Sequence, residues 1–128
     1  MKTLLWMSSQ LISRIETLHS QSFIHRDCKP ENFLVGSGKK SNMIYMIDFG
    51  LSKRYRCPKT GSHIKPKPKC SAMGTPRYMS MNAHAGKEQS RRDDLESIGF
   101  VLVFFAKEGW LPWVDAEHLG NAAKTKRT

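Results

Sequence analysis

The stretch FIHRDCKPENFLVG, residues 23–36, decides how the rest of the chain is interpreted. It sets the polar and charged run His25–Asn32 between two apolar runs, Phe23–Ile24 and Phe33–Val35. A solvated loop does not need apolar residues at both ends, whereas a loop whose side chains are held still at a working site does. The stretch therefore predicts short strands that fix a functional loop between them.

Periodicity outward from this loop predicts two helices and a hairpin. Residues 3–20 repeat apolar side chains at steps of three and four, which is typical of an amphipathic helix. Its stripe consists of Leu4, Met7, Leu11, Ile15 and Leu18, widened by Leu5 and Ile12. The runs NFLV and MIYMI, joined by GSGKKSN, predict a β-hairpin. Residues 90–109 predict a second helix, with acids in its first turn and Gly109 after its end. Because residues 98–105 are apolar on every side apart from Gly99, this helix is expected in the middle of a larger core.

Composition bounds the function without deciding it. The 128 residues suit one domain, and 39% apolar with 25% charged residues argue against disorder. The net charge of +10 favours an anionic partner, such as a phosphate, a nucleic acid, an acidic protein or a membrane surface, although a solvated basic surface explains it equally well. Seven Lys or Arg and no acid fall in Lys53–Cys70, which its prolines predict to be a loop.

Cysteine usage and hydropathy favour a soluble protein of the cytoplasm, the nucleus or both. Three cysteines without a CxxC spacing are typical of a reduced compartment. A metal site of Cys57, His63 and Cys70 can be imagined, but their spacing matches no usual zinc pattern. The longest apolar run, Ile98–Ala106, is too short to span a bilayer.

The polar loop carries the residue types that phosphoryl transfer needs. His25-Arg26-Asp27 is followed after four residues by Asn32, and sixteen residues later by Asp48-Phe49-Gly50, the order of the protein-kinase catalytic-loop and metal-binding motifs. The Asp27 carboxylate can orient an attacking hydroxyl, and Lys29 can offset charge on the transferred phosphate. Asn32 and Asp48 offer hard oxygen ligands for Mg²⁺.

Four motifs extend this likeness to one family. FIHRDCKPENFLVG, MIDFGLSKRYR, GTPRYMS and EQSRRDDLESIGFVL, followed by LPW, resemble the casein kinase 1 family of serine/threonine kinases. The similarity runs from Lys2 to Trp113. It implies an α+β, protein-kinase-like fold with a mainly helical large lobe and a short β-hairpin at the catalytic loop. Residues 1–113 are thus expected to form a partial kinase catalytic domain, and 114–128 a divergent basic tail.

The resemblance also implies roles for individual residues. Asp27 would be the catalytic acid-base residue and Lys29 would touch the phosphate. Asn32 and Asp48 would bind the metal, so that the cofactors would be ATP and Mg²⁺. Thr75, in GTPRY, matches the threonine that bridges the catalytic aspartate and lysine of the family, here Asp27 and Lys29.

The resemblance implies roles for three further residues and marks one departure from the family. Asp94 matches a buried helix aspartate that accepts bonds from the catalytic-loop backbone, and Arg26 would also give structural support. Arg77 matches an arginine that binds the anion of acidic or phosphorylated protein substrates. Pro76 departs from the family's alanine and removes a backbone donor, so the substrate-facing loop is expected to differ.

Other signatures of a complete kinase are not found in the sequence. It contains no G-x-G-x-x-G and nothing like V-A-I-K, so the small lobe is expected to be absent and the chain inactive alone. One rival is a non-catalytic module that binds acidic or phosphorylated proteins. A basic nucleic-acid binder is less favoured, because the sequence has no such motif and no aromatic stacking array.

Overall fold

The fold comes from a computed structural model that describes residues 2–113; the predicted tail at 114–128 lies outside the described residues. Three helices and four short strands follow one another along the chain: α1 Lys2–Ser20, β1 Phe23–Ile24, β2 Phe33–Val35, β3 Ile44–Met46, β4 Lys53–Arg54, α2 Met81–His84 and α3 Arg91–Ala106. Single 3₁₀ turns occupy Pro30–Asn32 and Gly38–Lys40. No helix in this part of the chain is long and apolar enough to cross a membrane.

Helix α1 confirms the first predicted helix and corrects the width of its apolar face. Leu11 and Ile15 are buried to 1% exposure and join the core against α3. Leu5 and Ile12, which were expected to widen the stripe, remain 66% and 49% exposed. The buried face of α1 is narrower than the sequence suggests. Helix α1 packs against α3 and the β2–β3 hairpin, and these elements leave the side with Leu5 and Ile12 uncovered.

Helix α3 begins and ends where its sequence signals predict. The Asp93 carboxylate accepts the backbone N–H of Ser90 at 2.7 Å, which satisfies a donor at the helix start. At the other end Glu108 takes the left-handed position, with φ +53°, and Gly109 donates its N–H to the carbonyl of Phe104 at 2.8 Å, which satisfies a carbonyl of the last turn.

Only one side of α3 is covered by the described residues. Ile98 and Val101 are buried at 2% and 0% exposure and face α1. Val103 and Phe105 are each 40% exposed. The expectation of a helix in the middle of a core therefore holds for its inner face only.

The predicted hairpin is present, and α1 holds it in place. Strands β2 and β3 are antiparallel, with Leu34 opposite Tyr45. The Gln10 side chain of α1 donates to the carbonyl of Asn42 at 2.6 Å and accepts from the N–H of Ile44 at 2.9 Å. It thereby fixes the hairpin, which carries the polar loop at one end, against the helix.

The basic segment Lys53–Cys70 is not a loop throughout, so that prediction is wrong at its start. Strand β4 pairs antiparallel with β1, with Ile24 opposite Lys53. A further isolated bridge joins Arg56 and His63. Two-residue strands carry no readable periodicity, and this pairing depends on contacts about thirty residues apart, so the sequence could not reveal it.

Candidate active site

One buried carboxylate of α3, that of Asp94, anchors the polar loop, residues 25–32. Asp94 is 1% exposed, and its Oδ1 accepts the backbone N–H of Arg26 at 2.8 Å. Its Oδ2 accepts both the backbone N–H of His25 and the Nε2–H of His19 on α1, each at 2.8 Å. Two consecutive amides of the loop are therefore fixed by a charged acceptor that water hardly reaches, where such bonds are strongest.

The loop backbone takes a strained path at Arg26. This residue has φ +69°, and its Nε donates to the carbonyl of Leu51 at 2.6 Å. Gly74 lies against it, since a Cβ on Gly74 would stand 2.7 Å from the Arg26 carbonyl oxygen. Only glycine permits that approach, so the segment before Thr75 and the loop fit together at this point.

The His25 ring links the loop to the Asp48 segment. Its Nε2 donates to the carbonyl of Ile47 at 3.1 Å, and its Nδ1 accepts the backbone N–H of Asp27 at 3.3 Å. An imidazole that donates at one nitrogen and accepts at the other is neutral. The same ring meets Phe49 edge-on, with centroids 5.5 Å apart.

Asp27, Lys29 and Thr75 come together around one carboxylate. Oδ1 of Asp27 accepts the hydroxyl of Thr75 at 2.8 Å and its backbone N–H at 2.9 Å. Oδ2 lies 3.1 Å from the Lys29 ammonium. Burial by itself would raise the pKa of Asp27, but the hydrogen bonds from Thr75 and Lys29 outweigh it and hold that pKa below its ordinary value. The group is thus kept ionised and in one orientation.

Asn32 and Asp48 lie at adjoining ends of the hairpin. Asn32 is 4% exposed and its Nδ2 donates to the Asp27 carbonyl at 2.9 Å, which leaves the amide oxygen as its possible ligand atom. The backbone N–H of Ile47 donates to the Asn32 carbonyl at 2.9 Å and so brings the next residue, Asp48, to the same end. Asp48 is exposed, with φ +60° and its Oδ1 accepting from the Gly50 N–H at 3.2 Å.

The donor set fits magnesium better than zinc. One carboxylate and one amide oxygen are hard ligands, and Mg²⁺ is commonly bound by one or two carboxylates together with the phosphates of a substrate. Within residues 2–113 no three His, Cys, Asp or Glu side chains are grouped to hold a metal. Cys57, His63 and Cys70 therefore do not form such a group in the described part of the chain.

A cavity of about 290 Å³ beside the loop, here called the basic cavity, was not foreseen as a unit. Its cationic lining residues come from four parts of the chain: Arg26, Lys53, Lys67, Lys69 and Lys87. One acid, Glu88, lies in its wall with Oε1 2.6 Å from the Lys53 ammonium. The hydrogen bond from Lys53 lowers the pKa of Glu88, although burial opposes it. Lys87 and Glu88 come just before α3, and although Glu88 opens the stretch EQSRRDDLESIGFVL, neither residue was predicted to form a site.

Arg77 is positioned apart from this cavity. It is not among the residues that line the basic cavity, and its carbonyl accepts the indole N–H of Trp113 at 2.8 Å. A second cavity, of about 670 Å³, lies between α1, Tyr55 and the start of α3, but no predicted site residue lines it. Chemistry, not cavity size, therefore marks the loop as the candidate site.

The comparison with protein families agrees with this geometry. A family model described as the protein kinase domain matches residues 2–127 of the chain.

Proposed function

Because the chain belongs to the protein kinase family, we propose that it is part of a serine/threonine kinase of the casein kinase 1 type. The reaction would transfer the γ-phosphoryl group of ATP to a Ser or Thr hydroxyl of an acidic or already phosphorylated protein. The observation that carries the proposal is the Asp27 carboxylate, ionised and held on one side by Thr75 and on the other by Lys29.

The chain's own groups have separable tasks in this reaction. Asp27 accepts the hydrogen bond of the attacking hydroxyl and orients it, because an ionised carboxylate is a strong acceptor. Lys29, already beside Asp27, places a positive charge where the transferred phosphate gathers negative charge. Asn32 and Asp48 would hold Mg²⁺, which when bound neutralises charge on the nucleotide phosphates.

The preference for acidic or phosphorylated proteins rests on charge. Five cationic side chains around the basic cavity face a single carboxylate, and Lys53 already pairs with it. Arg77 remains part of the proposal on the strength of the family resemblance. Charge-assisted bonds from lysine or arginine to a phosphate are among the stronger polar contacts in proteins. The same cavity supports the second candidate function, a non-catalytic module that binds such proteins. We also propose a location in the cytoplasm, the nucleus or both.

Phosphate transfer by Asp27 variants tests the catalytic proposal. The chain would be assayed alone and joined to the small lobe of a related kinase, with Mg²⁺, labelled ATP and an acidic peptide. Asp27→Asn should lower kcat by about a hundredfold or more while ATP binding stays nearly intact, since this carboxylate would face the hydroxyl. Glu31→Gln is the matched control, because Glu31 is an exposed acid of the same loop. Turnover of Asp27→Asn near the wild-type level would contradict the kinase assignment.

Paired peptides test the substrate proposal. Lys69→Ala, Lys87→Ala and Arg77→Ala should each spare a plain peptide and penalise a phosphorylated one, by about tenfold for one lost charge-assisted bond. Lys39→Ala, an exposed lysine of the hairpin turn, is the control for a general loss of charge. Equal slowing of both peptides by all three variants would refute anion recognition. Phosphopeptide binding without any transfer in the completed domain would favour the non-catalytic module.

A further inference from the structure

We propose that Glu88 and Gln89 are positioning residues that hold the segment 67–73 in place so that Thr75 reaches Asp27. The inference rests on the proposed function for its meaning, because Thr75 matters through the carboxylate it holds. Neither residue touches that carboxylate itself; they act through the backbone of the segment between them and Thr75.

Glu88 ties the segment to a strand next to the polar loop. The residue is 9% exposed, and its Oε1 lies 2.6 Å from the Lys53 ammonium. Lys53 belongs to β4 and stands opposite Ile24, the residue before His25. The other oxygen, Oε2, accepts from the Cys70 thiol at 3.3 Å and from the backbone N–H of Lys67 at 3.4 Å. One buried carboxylate thus joins both ends of a short stretch to the scaffold.

Gln89 attaches the same segment three residues further along. It is also 9% exposed, and its Nε2 donates to the carbonyl of Met73 at 2.9 Å. Gly74 follows at φ +111°, packed against the Arg26 carbonyl, and Thr75 comes next with both donors on Asp27. The attachment at Met73 therefore lies two residues from the contact that orients the candidate catalytic group.

The segment has few backbone bonds of its own. Pro66 and Pro68 lack an N–H, so residues 65–69 cannot form a regular ladder with a neighbour. In the described part of the chain, residues 65–73 make one backbone–backbone bond, from the Cys70 N–H to the Gly86 carbonyl at 2.8 Å. Side chains of Glu88 and Gln89 therefore supply the anchoring that a strand would obtain from its backbone.

Charge alone predicts a different result from positioning, which makes the proposal testable. If Glu88 acted only through its charge, Glu88→Gln would change the charge of the basic cavity and leave the segment folded as before. Positioning predicts that the segment and the Thr75 amide become mobile. Gln89→Met has nearly the same shape, changes no charge and removes only the donor to Met73, so it separates the two explanations.

Hydrogen–deuterium exchange of the full 128-residue chain, followed by mass spectrometry, measures the effect directly. Both variants should raise the exchange rate of the two hydrogen-bonded amides in residues 69–75, those of Cys70 and Thr75, by about tenfold or more and leave α1 and α3 unchanged. Glu16→Gln, an exposed acid of α1, should change neither region. Unchanged exchange at 69–75 would overturn the proposal. A rise that is equally large in α1 would also overturn it, since the two residues would then serve general stability.

The exchange experiment needs neither nucleotide nor substrate, so its outcome is independent of the kinase assignment. A chain that fails to transfer phosphate but shows the local effect would refute the proposed function and keep the positioning role. Phosphate transfer without the local effect would do the reverse.

Discussion

Asp94→Asn is expected to unfold the candidate site because one carboxylate accepts three short hydrogen bonds, from His25, Arg26 and His19, and a longer contact of 4.0 Å from the Cys28 thiol. An asparagine oxygen can replace only one of the two carboxylate oxygens. In the better orientation it keeps the bonds from His25 and His19, and its amide then faces the N–H of Arg26, so two donors meet without an acceptor. A buried donor without a partner costs about 1–3 kcal/mol. Each of the two remaining bonds loses its charge assistance, at about 1 kcal/mol each.

The total is about 3–5 kcal/mol of unfolding free energy, a large share of the roughly 5–15 kcal/mol that holds a small domain together. Urea denaturation at neutral pH measures it, and the melting temperature should fall by roughly 10 °C or more. Glu16→Gln removes a charge from the exposed side of α1 and should stay within about 0.5 kcal/mol of the wild type. If Asp94→Asn lowers the free energy of unfolding by less than about 1 kcal/mol, the bonds from Asp94 do not anchor the loop, and the reasoning fails.

Three other perturbations have definite expected outcomes. Asp48→Asn should weaken binding of Mn²⁺, a paramagnetic stand-in for Mg²⁺, by about tenfold in water-proton relaxation, and an unchanged affinity would exclude Asp48 as a ligand. Because the pKa of Asp27 lies below its ordinary value of 3.8, its ionised form contributes stability at neutral pH that is lost as the pH falls through the lower folded pKa. The unfolding free energies of the wild type and Asp27→Asn should therefore converge only in that acid range, and a constant difference down to about pH 2 would contradict this. Leu95→Gln and Val103→Gln should reduce the fluorescence of an apolar dye with little change in stability, whereas unchanged fluorescence would mean that the exposed side of α3 does not bind it.

Local signals in the sequence predicted the two long helices, α1 and α3, and the hairpin. The spacing of Leu11 and Ile15 identified α1, and the pattern from Ser90 to Gly109 marked both ends of α3. These features are readable because helix periodicity and capping act over a few neighbouring residues. The order of Asp27, Asn32 and Asp48 was readable for a different reason, since it follows a known motif.

Apart from the contacts that the family resemblance implied for Asp94 and Thr75, features that depend on distant contacts were not predicted. Strand β4 forms only by pairing with β1, which lies about thirty residues earlier in the chain. The four-residue helix α2 is too short to give a periodic signal. The basic cavity gathers side chains from Arg26 to Lys87 that share no spacing in the sequence. Glu88 lies in a stretch that resembles the family, but its contacts with Lys53 and Cys70, which lie 35 and 18 residues away, were not predicted.

Because Asp94 anchors the loop, the loop cannot take its final structure during synthesis until α3 has been made. Arg26 and its anchor are 68 positions apart, so the ribosome adds about 3–14 s of further chain, at roughly 5–20 residues per second, before the bond can form. Throughout that interval the two loop amides can donate only to water or to transient partners, and the entropy cost of closing so long a span is offset only when α3 has formed. We expect a ribosome-bound chain arrested before Asp94 to display this loop to chaperones and proteases, and release of α3 to hide it in a single step.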